Sequence, residues 1–195
     1  MNKKWICVLL AVLLLCGALT ACAPAETSSK YVHSFSASIG TMPLDDILEE
    51  YPTVLRGTIS KQGEAEDIVT NDPNVGTVRT VRTFYHISVT EFFQGDKAYE
   101  EEATFWTTGG ETDTQVYLPL SGKMPEVGQE EIFFIHPSGC RYGFFVNEDG
   151  CVNVSRGEVP ELFEDDEAKV RRKLVPVEEF EAILRAKIAA KNSEK

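Results

Sequence analysis

The sequence has few of the residues and motifs from which most catalytic and metal sites are built. It contains three histidines, His33, His86 and His136, and they lie far apart, with no second histidine one helical turn away from any of them. It has no phosphate-binding loop, Gly-x-Ser-x-Gly turn, Ser-x-x-Lys or His-Glu-x-x-His pattern. We therefore expect a protein that is not an enzyme and that uses no metal or other cofactor.

Positive charge is also scarce, since 19 Lys and Arg residues face 31 Asp and Glu residues. Residues 1–21 contain Lys3 and Lys4 and no acid, so the rest keeps 17 basic residues and a net charge of 17 − 31 = −14. Such a surface repels phosphate backbones. Arg79 and Arg82 stand near aromatic residues, but the acidic surface favours cross-strand ion pairs over a nucleic-acid groove. We expect no nucleic-acid partner.

Long apolar runs are absent except at the amino terminus, where the first 22 residues read MNKKWICVLLAVLLLCGALTAC. Two lysines precede an apolar run over residues 5–15, and small residues follow, as in a secretory signal peptide. The closing Leu19, Thr20, Ala21 and Cys22 resemble a bacterial lipobox. The resemblance implies that residues 1–21 are removed as a lipoprotein signal peptide and that Cys22 carries the lipid.

This resemblance implies a protein anchored on the extracytoplasmic face of the cell membrane by acyl chains on Cys22. Two or more chains anchor a protein stably, because each buried methylene contributes about 0.8 kcal/mol. Two alternatives stay open. Residues 5–23 are barely long enough for an uncleaved membrane anchor, and ordinary secretion with cleavage after Ala23 or Ala25 is the other.

The mature chain divides into three predicted parts. Residues 22–42 form a lipidated cysteine with a polar tether, within which residues 30–42 read as extended or coil. Residues 43–155 form a β domain, and residues 156–195 form an acidic loop followed by a helix. This length is sufficient for one domain with a hydrophobic core.

Short segments with strand character dominate the predicted β domain. Residues 43–50 predict a short helix, because a proline and acids stand at its start and Leu44, Ile47 and Leu48 share a face. Residues 61–76 read as a polar excursion with turn chemistry. The adjacent Phe92 and Phe93 predict a bulge or the end of a strand. Strands are predicted at 53–60, 77–93, 103–108, 115–120, 131–136, 142–146 and 151–154, the last two joined as a hairpin by a turn at 147–150.

The carboxyl-terminal segment 175–191 predicts an amphipathic helix. Val177, Phe180, Leu184 and Ile188 share one face, with acids early and bases late. We expect this face to pack on the β domain. The alternative is a helix whose apolar stripe stays exposed for a partner.

Three phrases of the chain resemble a module of bacterial surface lipoproteins. They are a strand with an early glycine (54–59), a strand ending in an aromatic pair and Gly-Asp (85–96), and a Val-Gly-Gln-Glu-Glu turn before an aromatic strand (127–136). The resemblance implies a small OB-like antiparallel β-barrel, similar to the netrin/TIMP fold. The residues themselves predict only a mainly β barrel or sandwich with a short amino-terminal and a carboxyl-terminal helix.

Two cysteines remain after Cys22, and their pairing is open. Outside the cytoplasm Cys140 and Cys151 are candidates for a disulfide. A simple hairpin would place them at opposite ends of its strands, roughly 20 Å apart at about 3.3 Å per residue, and two free thiols are then expected. A thiol nucleophile assisted by His136 lacks an orienting partner.

The leading functional hypothesis is a non-enzymatic surface lipoprotein that binds an envelope protein, peptide or polymer. A second is an envelope hydrolase, in which carboxylates such as Glu91, Glu101 or Asp113 would converge in a deep pocket with perturbed pKa values. A third is an accessory subunit of a membrane complex that docks through the 175–191 helix.

Overall fold

Just over half of the residues that the structure describes form β-strands, and the largest sheet has five of them. The computed structural model describes residues 31–34, 41–74, 76–118, 123–163 and 172–193. The predicted signal peptide and Cys22 lie outside these residues. Within them, no helix is both long and apolar enough to cross a membrane.

The regular elements are two α-helices, ten strands and two short 3-10 turns in the described part of the chain. The helices are α1 (Leu44–Glu50) and α2 (Val177–Ser193). The strands are β1 (Tyr31–Ser34), β2 (Thr53–Asp72), β3 (Gly76–Gln94), β4 (Glu102–Thr108), β5 (Gly110–Glu111), β6 (Gln115–Leu118), β7 (Glu130–Ile135), β8 (Arg141–Phe145), β9 (Cys151–Ser155) and β10 (Arg172–Pro176). The 3-10 turns are Lys97–Tyr99 and Pro160–Leu162.

The five-stranded antiparallel sheet has the strand order β4-β3-β2-β7-β8, and two smaller sheets, β9-β10 and β1-β6-β5, accompany it. The prediction of a mainly β protein with two helices is confirmed. The sheets are not closed into a barrel. The two edges of the five-stranded sheet meet at a single backbone bridge between Trp106 and Cys140, whereas barrel closure needs continuous pairing of the edge strands.

The buried residues form two cores on opposite faces of the five-stranded sheet. The first core packs both helices and the β9-β10 pair on one face of the sheet, and the second core fills the other face. The first core consists of Leu44, Ile47, Leu48, Val54, Ile132, Phe134, Phe144, Val152, Val154, Val159, Leu162, Val175, Val177, Phe180, Leu184 and Ile188. The second consists of Leu55, Ile59, Tyr85, Ile87, Ala103, Phe105, Phe133 and Ile135.

Strand β7 is the most hydrophobic strand because it contributes to both cores. Ile132 and Phe134 point into the first core, while Phe133 and Ile135 point into the second. Successive side chains of a strand alternate between its faces, so a strand buried on both sides needs a continuous apolar run. The predicted strand at 131–136 is thus confirmed as β7, which lies between β2 and β8.

The predicted polar excursion at 61–76 is wrong for most of its length. Strand β2 continues to Asp72, and its pairing with β3 runs without a break from Ala65 opposite Thr83 to Asp72 opposite Gly76. Backbone hydrogen bonds hold this part of the β-ribbon, and most of its β2 side chains are exposed. A paired segment with exposed side chains has no apolar alternation, so its composition resembles a loop.

The bulge predicted at the aromatic pair is confirmed. Val54 pairs with Gln94 and Leu55 with Phe92, so Phe93 is an extra residue on β3. A second irregularity lies next to Gly57, where a Cβ atom would collide with Ile87 and the carbonyl of Ser88. Both irregularities lie where β2 is also paired with β7, and bulges of this kind increase the local twist of a sheet.

The carboxyl-terminal helix starts at Val177, two residues later than predicted. Residues 172–176 form β10 and pair with β9, so α2 begins at Val177. The predicted stripe of Val177, Phe180, Leu184 and Ile188 is buried in the first core. The helix therefore packs on the β domain as expected, and the alternative of an exposed stripe is wrong.

The predicted hairpin over residues 142–154 is only partly formed. The turn exists, since the amide of Gly150 donates to the Asn147 carbonyl at 2.9 Å. Beyond the turn, β8 and β9 are joined only by a bridge between Val146 and Val152 and then enter different sheets. Pairing with β10 draws β9 away from β8.

Candidate functional site

The two cysteines proposed for a disulfide lie at the two ends of β8. Cys140 ends the turn between β7 and β8, whereas Cys151 follows the Asn147 turn and begins β9. Both are half-buried free thiols in the structure. The disulfide therefore stays a prediction, and counting the free thiols of the mature chain would test it.

The turn before Cys140 connects it indirectly with His136. The hydroxyl of Ser138 lies 2.8 Å from Nδ1 of His136 and 3.5 Å from the Cys140 sulfur. The Ser138 amide also donates to Nδ1 at 3.0 Å, so a neutral imidazole carries its proton on Nε2. The ring thereby stabilises its own turn, and a serine rather than the histidine contacts the thiol.

The structure does not gather the three carboxylates proposed for a hydrolase. Glu91 forms an ion pair with Arg185 of α2. Glu101 is exposed before β4, and Asp113 is exposed in the turn between β5 and β6. The three carboxylates therefore have different surroundings, and Thr112 and Thr114 on either side of Asp113 donate to Asp67 in the outer part of β2.

A charged group that the sequence analysis missed lies in the second core. Glu131 is fully buried and its Oε2 atom contacts Nη1 of Arg141, whose side chain is 13% exposed. The Tyr85 hydroxyl is buried in the same core. The only signal in the sequence was an acid at an inward position of an otherwise apolar strand, beside an arginine at the start of the next strand.

The register of β7 and β8 brings these two side chains together. Arg141 pairs with Ile135, Gly143 with Phe133, and Phe145 with Glu131, so Gly143 lies between the two charged residues on their shared face. A Cβ atom at Gly143 would collide with both Nη1 of Arg141 and Oε2 of Glu131. The missing side chain therefore leaves the space in which the ion pair forms.

Burial dominates the electrostatics of this group. Loss of solvent raises the pKa of Glu131 from 4.5 to about 7, although the positive charge of Arg141 opposes the rise. Burial also lowers the pKa of Arg141 and raises that of Tyr85. The guanidinium carbon of Arg141 lies 4.7 Å from the centroid of the Phe105 ring, a contact that favours a desolvated cation.

The other face of β3 and β4 carries a second distinctive feature, which we call the outer aromatic face and define as Arg82, Phe84 and Trp106. All three side chains are half-buried. Phe84 pairs directly with Trp106 across the two strands. The guanidinium carbon of Arg82 lies 4.1 Å from the Trp106 ring centroid, and the residue paired with Arg82 on β2 is the acidic Glu66.

The outer aromatic face is held in place by the turn at 136–140. The indole Nε1–H of Trp106 donates to the Ser138 carbonyl at 2.8 Å, and its amide donates to the Gly139 carbonyl at 2.9 Å. Gly139 has a φ of +88°, and a Cβ atom there would press on the indole ring at 3.0 Å. The turn therefore positions a partly exposed tryptophan in one orientation.

An ion network attaches α2 to the sheet on its first-core side. Glu181, which is nearly buried, accepts from Arg56 of β2 at 3.0 Å and from Arg185 at 3.1 Å. Arg56 also pairs with Glu130 at 2.8 Å. Each charge of this network has a partner of opposite sign, which is the arrangement expected of a helix-docking contact.

The described residues contain no group of three or more His, Cys, Asp or Glu side chains arranged to hold a metal ion. Comparison of the chain with protein-family models, with curated proteins and with solved structures found no match.

Proposed function

We propose that this protein is a non-enzymatic lipoprotein, anchored to the extracytoplasmic face of the cell membrane through acylated Cys22, that binds an envelope protein. The observation that carries the binding role is the outer aromatic face. The lipobox resemblance at residues 19–22 supports the anchor.

The outer aromatic face has the composition and rigidity of a protein-binding surface. Tryptophan and arginine are enriched among the residues that dominate binding energy at interfaces. Trp106 is already held by its bond to Ser138 and by the stacked Arg82. Little side-chain entropy is then lost when a partner covers the ring.

We also propose that the β domain is an open variant of the OB-type barrel. The support is the strand order β4-β3-β2-β7-β8, whose two edge strands come together at Trp106 and Cys140. In this proposal the outer aromatic face lies beside the place where the edges meet, on the solvent side of the sheet.

The lipid anchor is tested by metabolic labelling of producing cells with an alkyne fatty acid. We expect the label on the wild-type protein, its loss in Cys22→Ala, and its retention in Cys140→Ala, which removes a thiol outside the lipobox. Globomycin should cause the unprocessed precursor to accumulate. Equal labelling of all three proteins, with no precursor under globomycin, would contradict the anchor.

The binding surface is tested by photo-crosslinking in intact cells. A photoreactive phenylalanine analogue replaces Phe84, and in a matched control it replaces Phe145, which is 47% exposed outside the outer aromatic face. We expect a discrete, protease-sensitive adduct at position 84, reduced at least roughly tenfold by Trp106→Ala because a hot-spot residue contributes more than about 1.4 kcal/mol.

The same experiment separates the alternatives. An adduct that resists protease and disappears with a cell-wall hydrolase would identify an envelope polymer as the partner instead. Equal adducts at positions 84 and 145, or adducts that Trp106→Ala leaves unchanged, would overturn the assignment of the surface.

A further inference from the structure

Three polar atoms inside the second core have no hydrogen-bond partner among the described residues. They are the hydroxyl oxygen of Tyr85, Oε1 of Glu131 and Nε of Arg141. Buried polar atoms in folded proteins are almost always paired, either with other protein groups or with ordered water. Three unpaired atoms in one small core therefore point to a bound molecule.

The ion pair itself explains which atoms remain unpaired. Glu131 and Arg141 meet through one oxygen and one terminal nitrogen, Oε2 and Nη1. A guanidinium and a carboxylate can instead form two parallel bonds, which would also engage the second oxygen and a second nitrogen. The single contact here leaves one acceptor, Oε1, and one donor, Nε–H, on two groups that already touch.

The hydrogen-bond donor and acceptor capacities of the three atoms indicate which molecule can bind there. The Arg141 Nε–H needs an acceptor and Oε1 of an ionised Glu131 needs a donor, while the Tyr85 hydroxyl can take either role. Water satisfies all of these demands because it donates and accepts. A purely donating cation or a purely accepting anion would satisfy only part of the set.

Water also has a route to the site. Glu131 is completely buried, but the Arg141 side chain is 13% exposed and so extends from the buried carboxylate to the surface. Phe145, the cross-strand partner of Glu131, is exposed. Arg141 is therefore the side chain that connects this part of the second core with the surface.

We propose that the second core binds an internal water molecule that accepts a hydrogen bond from Nε of Arg141 and donates one to Oε1 of Glu131, with the Tyr85 hydroxyl as its third partner. This water completes the coordination of the buried ion pair. It is a structural ligand of the protein, distinct from the partner proposed for the outer aromatic face.

The test uses magnetic relaxation dispersion of water ²H and ¹⁷O, a method that counts long-lived bound waters. The sample is the mature chain in detergent. We expect the double variant Glu131→Leu and Arg141→Met to contain one long-lived water less than the wild type. Tyr85→Phe should shorten the residence time roughly fivefold, because one net hydrogen bond is lost.

Tyr142→Phe is the matched control, since its hydroxyl already has a protein partner, Glu158, at 2.6 Å. We expect this variant to leave the dispersion unchanged. An unchanged count in the folded double variant would overturn the proposal. If the double variant does not fold, an unchanged residence time in Tyr85→Phe would overturn it equally.

Discussion

The two cores of this protein differ in the kinds of side chain that they bury. The first core is made of aliphatic and aromatic side chains, and the charges near it, such as Arg56 and Glu181, lie at its edge. The second core is smaller and rich in aromatic residues, yet it encloses the charged side chains of Glu131 and Arg141.

The difference follows from which parts of the chain build each core. The first core is covered by α1, α2 and the β9-β10 pair, whose apolar side chains fill it, and its two buried carboxylates, Glu158 and Glu181, are hydrogen-bonded around it. The second core is enclosed by the five-stranded sheet, with Tyr99 and Met124 from the connecting segments packed against it. Its aromatic rings, including Phe105 and Phe133, surround Arg141 and provide contacts that a buried cation favours.

The largest expected effect comes from removing the cation of the second core. Arg141→Met leaves the Glu131 carboxylate buried without a counter-charge, and we expect a loss of about 3–5 kcal/mol of unfolding free energy at pH 8. At pH 5.5 the carboxyl is protonated and the loss should be smaller. Urea denaturation at both pH values measures this.

Arg82→Met is the control for that prediction, because this arginine stacks on an aromatic ring at the surface. We expect it to cost less than about 1 kcal/mol at either pH. A cost of Arg141→Met that does not depend on pH would show that Glu131 and Arg141 are not electrically coupled as described.

A cavity in the first core should lower the free energy of unfolding by a similar or smaller amount than Arg141→Met, and this loss should not depend on pH. Leu184→Ala removes a fully buried side chain of α2 and leaves a cavity, which should cost about 2–5 kcal/mol. Leu174→Ala is the control, because Leu174 is 59% exposed, and it should cost less than about 0.5 kcal/mol. Comparable losses in both variants would contradict the packing of α2.

The pH dependence of stability sharpens the comparison further. The pKa of Glu131 is about 7 in the folded protein against an ordinary 4.5, so between these values the folded chain keeps a proton that the unfolded chain releases. The contribution of this group is therefore complete below about pH 4.5 and is lost as the pH rises through 7. Because one pKa unit corresponds to about 1.4 kcal/mol, we expect a decline of about 3 kcal/mol.

Glu131→Gln should abolish that decline, while Glu130→Gln, on the half-exposed side of β7, should keep it. Thermal unfolding followed by circular dichroism from pH 4.5 to pH 8 provides the measurement. A wild-type decline that persists in Glu131→Gln would assign the titration to another group.

The smallest effect is expected at the surface of the first core. Lys187 pairs with Asp45 at 2.9 Å and with Glu161 at 2.8 Å, but both carboxylates are largely exposed. Lys187→Gln should cost less than about 1 kcal/mol, and 1 M salt should remove the difference. Lys123→Gln, at a more exposed pair with Glu126, should cost less still. A larger, salt-resistant loss would indicate that Lys187 contributes through packing.

Local pattern predicted the elements whose faces differ in polarity. The apolar stripe of α2, the strand predicted at 77–93 and the bulge at Phe93 could be predicted because an apolar side chain at a given spacing has one favourable face. The outer part of β2, residues 61–72, was not predicted because its exposed side chains show no apolar alternation. Strand β10 was missed because its partner is β9, which no local pattern identifies.

The candidate site was predicted least well. The disulfide stays a prediction, and the three carboxylates proposed for a hydrolase have different surroundings. Trp106 and Glu131 gain their significance from neighbours distant along the chain, namely the Ser138 carbonyl and Arg141. Spacing within one strand cannot show such contacts, because they depend on how the strands pair.

By itself the sequence determined the strand-rich character of this protein, its two amphipathic helices and its acidic surface, since these follow from composition and from side-chain periodicity along a single element. The tertiary structure decided that the sheet stays open, that β9 leaves β8 for β10, and that a glutamate is buried beside an arginine. Those outcomes depend on register and on contacts between distant segments, and a buried charge is stable only where the fold places its partner.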